Sequence, residues 1–162
     1  MTHLKLISFV ILIGAIVTGC SEISSEKKQE IWETGTVSRV IDGDTIELES
    51  GEVVRYLGIN TPETNHPEKG LECFGEEATE LNRSLVEGKQ VKLLSDGENQ
   101  DKYGRLLRYV FADGMFINGL LVWEGVAFSY SYGEPLILYQ TLIQLEVNAK
   151  ENERGLWSHC EY

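Results

Sequence analysis

The sequence predicts an α+β domain that is mainly β: a five-stranded closed barrel accompanied by three helices. Two groups of short runs rich in β-branched residues, over 36–59 and 91–112, are separated by glycine-bearing turns. One helical pattern lies between the groups, at 75–86, and the other helical patterns are gathered near the C-terminal end. With 162 residues and a leading segment of different composition, there is room for one domain.

The elements follow in order. Residues 1–20 carry Lys5, an apolar run from Leu6 to Val17 and the string Val17-Thr18-Gly19-Cys20. That is the form of an export signal ending in a lipobox, with Cys20 lipidated after cleavage; the run is too short to span a bilayer comfortably. Residues 21–33 are polar without periodicity and read as a flexible tether, structure starting near Trp32. The expected domain covers 34–162. Within it, runs at 36–40, 45–48 and 52–59 form a three-stranded meander broken at Asp42-Gly43-Asp44 and Ser50-Gly51.

After Pro62 a loop over 64–70 leads to the helix at 75–86, where Ala78, Leu81, Leu85 and Val86 fall at helical spacing and acid sits near the start. Two more strands are expected at 91–94 and 106–112, joined by a polar loop with Lys102, Tyr103 and Arg105 at its far end. A short apolar helix follows at 116–123 and a longer amphipathic one at 136–152, stopped by Arg154-Gly155. Leu156-Trp157 should pack back on the domain. Three strands, a helix, two strands and two terminal helices fit the OB-fold order.

Charge constrains the partner. The formal net charge of -12 and a sequence pI near 4.7 are the wrong sign for tracking along nucleic acid by long-range attraction. The acid is uneven: residues 42–80 hold 11 acidic and 2 basic side chains, and residues 83–108 hold 6 basic and 4 acidic. A local positive face is therefore compatible with the sequence, whereas an extended phosphate-binding groove is disfavoured.

The chemistry concentrates in residues 41–63. Asp42 and Asp44 share one turn, and Asn60, Thr61 and Glu63 form a second oxygen-rich cluster. Asp44, the Asn60 side-chain oxygen and the Thr61 carbonyl are donors of the kind calcium prefers. Arg55 interrupts an apolar strand and Arg105 follows a Tyr-Gly turn; two guanidiniums beside a cation would clamp a phosphate and neutralise developing charge. Water is then the nucleophile, and Glu63 is placed to orient or deprotonate it. Each string alone also reads as an ordinary turn, a strand end or a solvated arginine. Their occurrence together favours a site.

These residues resemble the staphylococcal nuclease (thermonuclease) family. The matching blocks are Val40-Ile41-Asp42-Gly43-Asp44-Thr45, Arg55, Thr61-Pro62-Glu63-Thr64 with His66-Pro67 and Lys69-Gly70, Phe74-Gly75-Glu76-Glu77-Ala78, Asp101-Lys102-Tyr103-Gly104-Arg105, Gly125-Val126-Ala127 and Gly155-Leu156-Trp157. The resemblance runs over about 34–157. It implies a calcium-dependent OB-fold nuclease that hydrolyses DNA and RNA with little sequence preference and leaves 3'-phosphorylated products. Carried over, Asp44 and the Thr61 carbonyl hold calcium, Glu63 is the general base, and Arg55 and Arg105 contact the scissile phosphate. Lys102 and Tyr103 lie near the other phosphate, and one of Tyr130 or Tyr132 flanks the nucleotide. One position departs from the pattern: Asn60 stands where the family has a second calcium-ligating aspartate. This predicts weaker calcium binding, unless Asn60 merely shapes the bend before Pro62.

Cys73 and Cys160 read either as a disulfide closing a long loop or as two independent thiols. His66 and His159 have no metal-spaced partner and read as surface residues. Tyr130-Ser131-Tyr132 is either a base-stacking platform or a half-buried loop. The sequence thus leads to a nuclease anchored by lipid to the extracytoplasmic face of a bacterial membrane, acting on DNA or RNA with no obligate protein partner. The alternative is a catalytically weak nuclease-fold lipoprotein that binds nucleic acid or a protein.

Overall fold

The computed structural model describes residues 32–64, 70–131, 133 and 136–161. The expected export signal with Cys20, most of the expected tether, His66 and Tyr132 lie outside the described residues. Among the described residues the first strand starts at Trp32, where structure is expected to start, and it includes Glu33.

Five strands close the barrel. β1 (Trp32–Asp42), β2 (Thr45–Leu48) and β3 (Val53–Tyr56) run as an antiparallel meander. A two-residue strand, β4 (Ile59–Asn60), follows, and α1 (Gly75–Val86) crosses to β5 (Gln90–Gln100) and β6 (Leu106–Ala112). β5 pairs with β1 and with β6, and a parallel β3–β6 pairing completes the ring. This is the expected OB-fold architecture. Closure leaves one apolar interior, filled by Val37, Ile46, Val54, Tyr56, Leu93 and Val110, all nearly inaccessible to solvent. Ala78 and Val86 of α1 are buried, and Leu81 and Leu85 pack against the same core, as their spacing predicts.

The C-terminal half caps the barrel. A short strand β7 (Met115–Phe116) leads into α2 (Ile117–Trp123); β8 (Phe128–Ser129) pairs with β4; α3 (Tyr139–Glu151) and the single turn α4 (Leu156–His159) follow. The buried Asn118 clasps α2 to the barrel: its Oδ1 accepts from the Val110 N–H and its Nδ2 donates to the Leu57 carbonyl, both at 2.8 Å. Gly125 and Gly155 cross backbone to backbone. A Cβ on Gly125 would lie 2.2 Å from the Arg154 carbonyl oxygen, and one on Gly155 would lie 2.3 Å from that of Gly125. No larger residue fits there.

β5 runs further than expected. Residues 95–100, read as loop because they are polar, continue the strand through a register break. Ser95 faces Arg108 and Gln100 faces Leu106, so residues 96–99 bulge out against Leu107. Arg108, only 1% exposed, fills the space beneath. It pairs with Glu33 at the start of β1 (3.0 Å) and donates to the Asn99 backbone carbonyl (3.1 Å) and side-chain oxygen (2.7 Å).

Candidate active site

Arg55 and Arg105 line the same cleft, and the barrel closure is the cause. The parallel pairing sets Val54 opposite Leu106 and Arg55 opposite Leu107, so Arg55 on β3 comes beside the turn that ends in Arg105. Arg55, Arg105, Lys102, Tyr103 and Tyr130 all line one cleft of about 810 Å³. Tyr130 reaches it because β8 pairs with β4, its N–H donating to the Gly58 carbonyl at 2.8 Å.

Arg55 joins the cleft to Asp44, which lies behind the lining, through a buried ion pair at 3.0 Å. Asp44 Oδ2 also accepts from the Thr61 N–H (2.8 Å) and Oδ1 from the Thr45 hydroxyl (3.1 Å). Asp42 shapes the turn, its Oδ1 accepting from the Asp44 N–H at 3.0 Å. Burial pushes the Asp44 carboxyl up to about 7; the Arg55 guanidinium pulls it back, Asp42 adds to the rise, and the Thr61 N–H and Thr45 hydroxyl oppose it. Arg55 is locked from the protein side, donating to the Tyr56 and Ile59 carbonyls (2.8 and 2.9 Å) and to Asn60 Oδ1 (2.8 Å). The Asn60 amide in turn donates to the Thr61 carbonyl at 3.2 Å. Asp44, Arg55, Asn60 and Thr61 are therefore one connected network.

The cleft wall is built by Asp101, a residue the sequence reading used only as part of a match. Its carboxylate accepts from the Tyr103 and Arg105 N–H groups and pairs with Arg105 Nε at 2.7 Å. Burial alone would raise the Asp101 carboxyl, but the Arg105 side chain and those N–H donors outweigh it and hold it below the usual carboxylate range. An aspartate two residues before a tyrosine-glycine turn was the available signal. Tyr103 is 71% exposed, with the Lys102 ammonium 5.0 Å and the Arg105 guanidinium 5.4 Å from its ring centre.

Glu63 lies two residues beyond Thr61 on the exposed side. Its N–H donates to Glu72 Oε2 at 3.0 Å, and its carbonyl accepts from the Glu72 N–H at 2.9 Å. Cys73 and Cys160 form a disulfide with Cα atoms 6.1 Å apart, which resolves the two readings of those thiols. His159 packs its ring 5.5 Å from that of Phe74.

For a hard cation the donors fit in kind. Asp44, Asn60 and Thr61 each present an oxygen, and those oxygens already accept here: Asp44 and Asn60 Oδ1 from Arg55, and the Thr61 carbonyl from the Asn60 amide. In charge the set is lean: no group of three or more His, Cys, Asp or Glu suited to a metal occurs among the described residues.

A closed five-stranded barrel with arginine, lysine and tyrosine around one cleft defines an OB-fold domain. Residues 53–159 match the family described as Staphylococcal nuclease homologue, and the chain belongs to that family. It is 40% identical over 133 residues to Endonuclease YncB of Bacillus subtilis (strain 168), covering 78% of this chain and 63% of that protein. Against the SPbeta prophage-derived endonuclease YokF of the same organism it is 41% identical, covering 78% of this chain and 45% of the relative. The chain thus spans less than two thirds of these two relatives. Against the Thermonuclease of Staphylococcus intermedius the identity is 33%, over 93% of this chain and 92% of the relative.

Proposed function

We propose that this protein is a calcium-dependent nuclease that hydrolyses phosphodiester bonds of DNA or RNA with little sequence preference, giving 3'-phosphorylated ends. The observation that carries this reading is the meeting of Arg55 and Arg105 on one cleft beside the buried Asp44. Arg55, held by two backbone carbonyls, Asn60 and Asp44, presents a preorganised guanidinium to a phosphate. Arg105, braced through Nε on Asp101 and lining the same cleft, is the second guanidinium for that phosphate. Lys102 and Tyr103 take an adjoining phosphate, and Tyr130 or Tyr132 flanks the nucleotide. Glu63 orients the attacking water and accepts its proton. Calcium would be held by Asp44, Asn60 and the Thr61 carbonyl, where it would supply a positive charge opposite the phosphate oxygens.

Residues 1–20 act in this reading as a lipoprotein signal, and lipid on Cys20 anchors the domain outside the cytoplasm. Support comes from the small-residue string ending on a cysteine and from a disulfide, which persists in oxidising compartments. Among the described residues no helix is long and apolar enough to cross a membrane.

The test is cleavage of DNA and RNA by residues 21–162 with added calcium and with chelator. Calcium-dependent cleavage is expected, and Arg55→Ala should lower it by about a hundredfold or more while the circular dichroism of the fold persists. Absence of cleavage at every calcium concentration would leave the weak nucleic-acid or protein binder as the better reading.

A further inference from the structure

Glu63 stands outside the barrel's hydrogen-bonded ladder, yet its backbone is held from both sides. Its N–H donates to the Glu72 carboxylate, its carbonyl accepts from the Glu72 N–H, and a Cβ on Gly75 would fall 2.7 Å from that same carbonyl oxygen. The neighbour of Glu72 is Cys73, bonded to Cys160. Cys160 closes α4, which is fixed in turn: the Cys160 N–H donates to the Leu156 carbonyl, Leu156 is fully buried, and its N–H donates to the Gly125 carbonyl at 2.9 Å. A continuous path therefore runs from Glu63 through Glu72, Cys73 and Cys160 into the core.

We propose that the Cys73–Cys160 disulfide is a positioning pair for Glu63, so that cleavage depends on oxidation of these two thiols. The inference rests on the nuclease reading of Glu63 and adds its control. The two thiols release two protons, and their two electrons pass by exchange to a disulfide-bearing oxidant, which becomes a dithiol as the Cys73–Cys160 bond forms. Before that step the segment of Glu72 and Cys73 has no covalent tie to α4, and the Glu63 carboxylate wanders from the attacking water. Phosphate binding by Arg55, Arg105 and Lys102 is built on β3 and on the β5–β6 turn, away from this path, and is unchanged. The chain is then a weak nuclease in a reducing compartment and a competent one in an oxidising compartment.

The experiment compares the full chain in three forms: oxidised, reduced with a phosphine, and Cys73→Ser/Cys160→Ser. Rates are measured on single-stranded DNA with calcium, at a temperature where circular dichroism shows each form folded. Reduction and the serine pair should lower kcat by roughly ten- to a hundredfold with KM moved less than about twofold. Reoxidation should restore the reduced chain and leave the serine variant unchanged. Glu72→Ala, which removes the side-chain half of the latch and keeps both its backbone half and the disulfide, should show a smaller kcat-selective loss. A lower thermal midpoint with unchanged kcat would make the disulfide a structural brace only and overturn the proposal, as would kcat and KM worsening together. An oxidised chain that never cleaves would instead sink the nuclease reading on which the proposal stands.

Discussion

Asn60 ties two parts of the site together without adding charge. Its Oδ1 faces the Arg55 guanidinium and its amide holds the Thr61 carbonyl, so the residue organises both neighbours while bringing no negative charge. The buried Asp44 is left as the main counter-charge to Arg55. Asn60→Asp should lower the calcium concentration for half-maximal cleavage by about tenfold, because affinity in oxygen sites follows ligand charge. Rates measured across a calcium series check this; an unchanged requirement would show that position 60 does not reach the ion. Arg55 stood out in the sequence as a charge within an apolar strand, and Arg105 as the residue after a Tyr-Gly turn; the cleft they share came only from the fold. Arg108 did not stand out. In the run LLRYVF it looks like a solvated strand arginine, and its partners Glu33 and Asn99 are named only by the fold.

The same arginine governs an element, the bulged β5–β6 pair. Residues 96–99 leave the ladder and line the cleft through Asp96, Gly97 and Glu98, while Arg108 holds Asn99 from below. Arg108→Ala removes a buried cation and leaves space behind. The Glu33 side chain is 39% exposed and rehydrates in part, so the loss should be about 2 to 3 kcal/mol, below the figure for a fully buried pair. Arg108→Met, which refills the volume, should cost about 1 kcal/mol or less. Urea denaturation separates the two; equal midpoints would mean that the ion pair and the packing contribute nothing distinct. β2 and α1 sit where their patterns put them. β1 overran its signal because it serves two partners in turn, β5 over 32–36 and β2 over 37–42, and β5 because its polar end, past the stretch paired on both sides, continues along β6 where alternation fades. The disulfide was undecidable from sequence, since pairing depends on a Cα separation that only the folded chain provides.

For the whole molecule, the net charge of -12 repels a polyanionic substrate, and the cleft offsets it only locally, setting Arg55, Lys102 and Arg105 among Asp96, Glu98 and Asp101. With contacts confined to about three cationic side chains, the slope of log K against log salt for single strands should be about -2, far shallower than for a groove-tracking protein. Fluorescence anisotropy with a short oligonucleotide under chelation measures it, and a slope steeper than about -5 would reveal a phosphate track outside this cleft. The acidic exterior thus restricts capture to short contacts. Finally, Glu33 grips Arg108 one residue inside the start of the barrel, where β1 also begins its ladder with β5. Tension arriving through the residues before Trp32 therefore meets a bidentate ion pair and a loaded strand at its first step. A pull along the strand axis is borne in shear across several rungs together, so the domain is fastened at the point where a tether would tug on it.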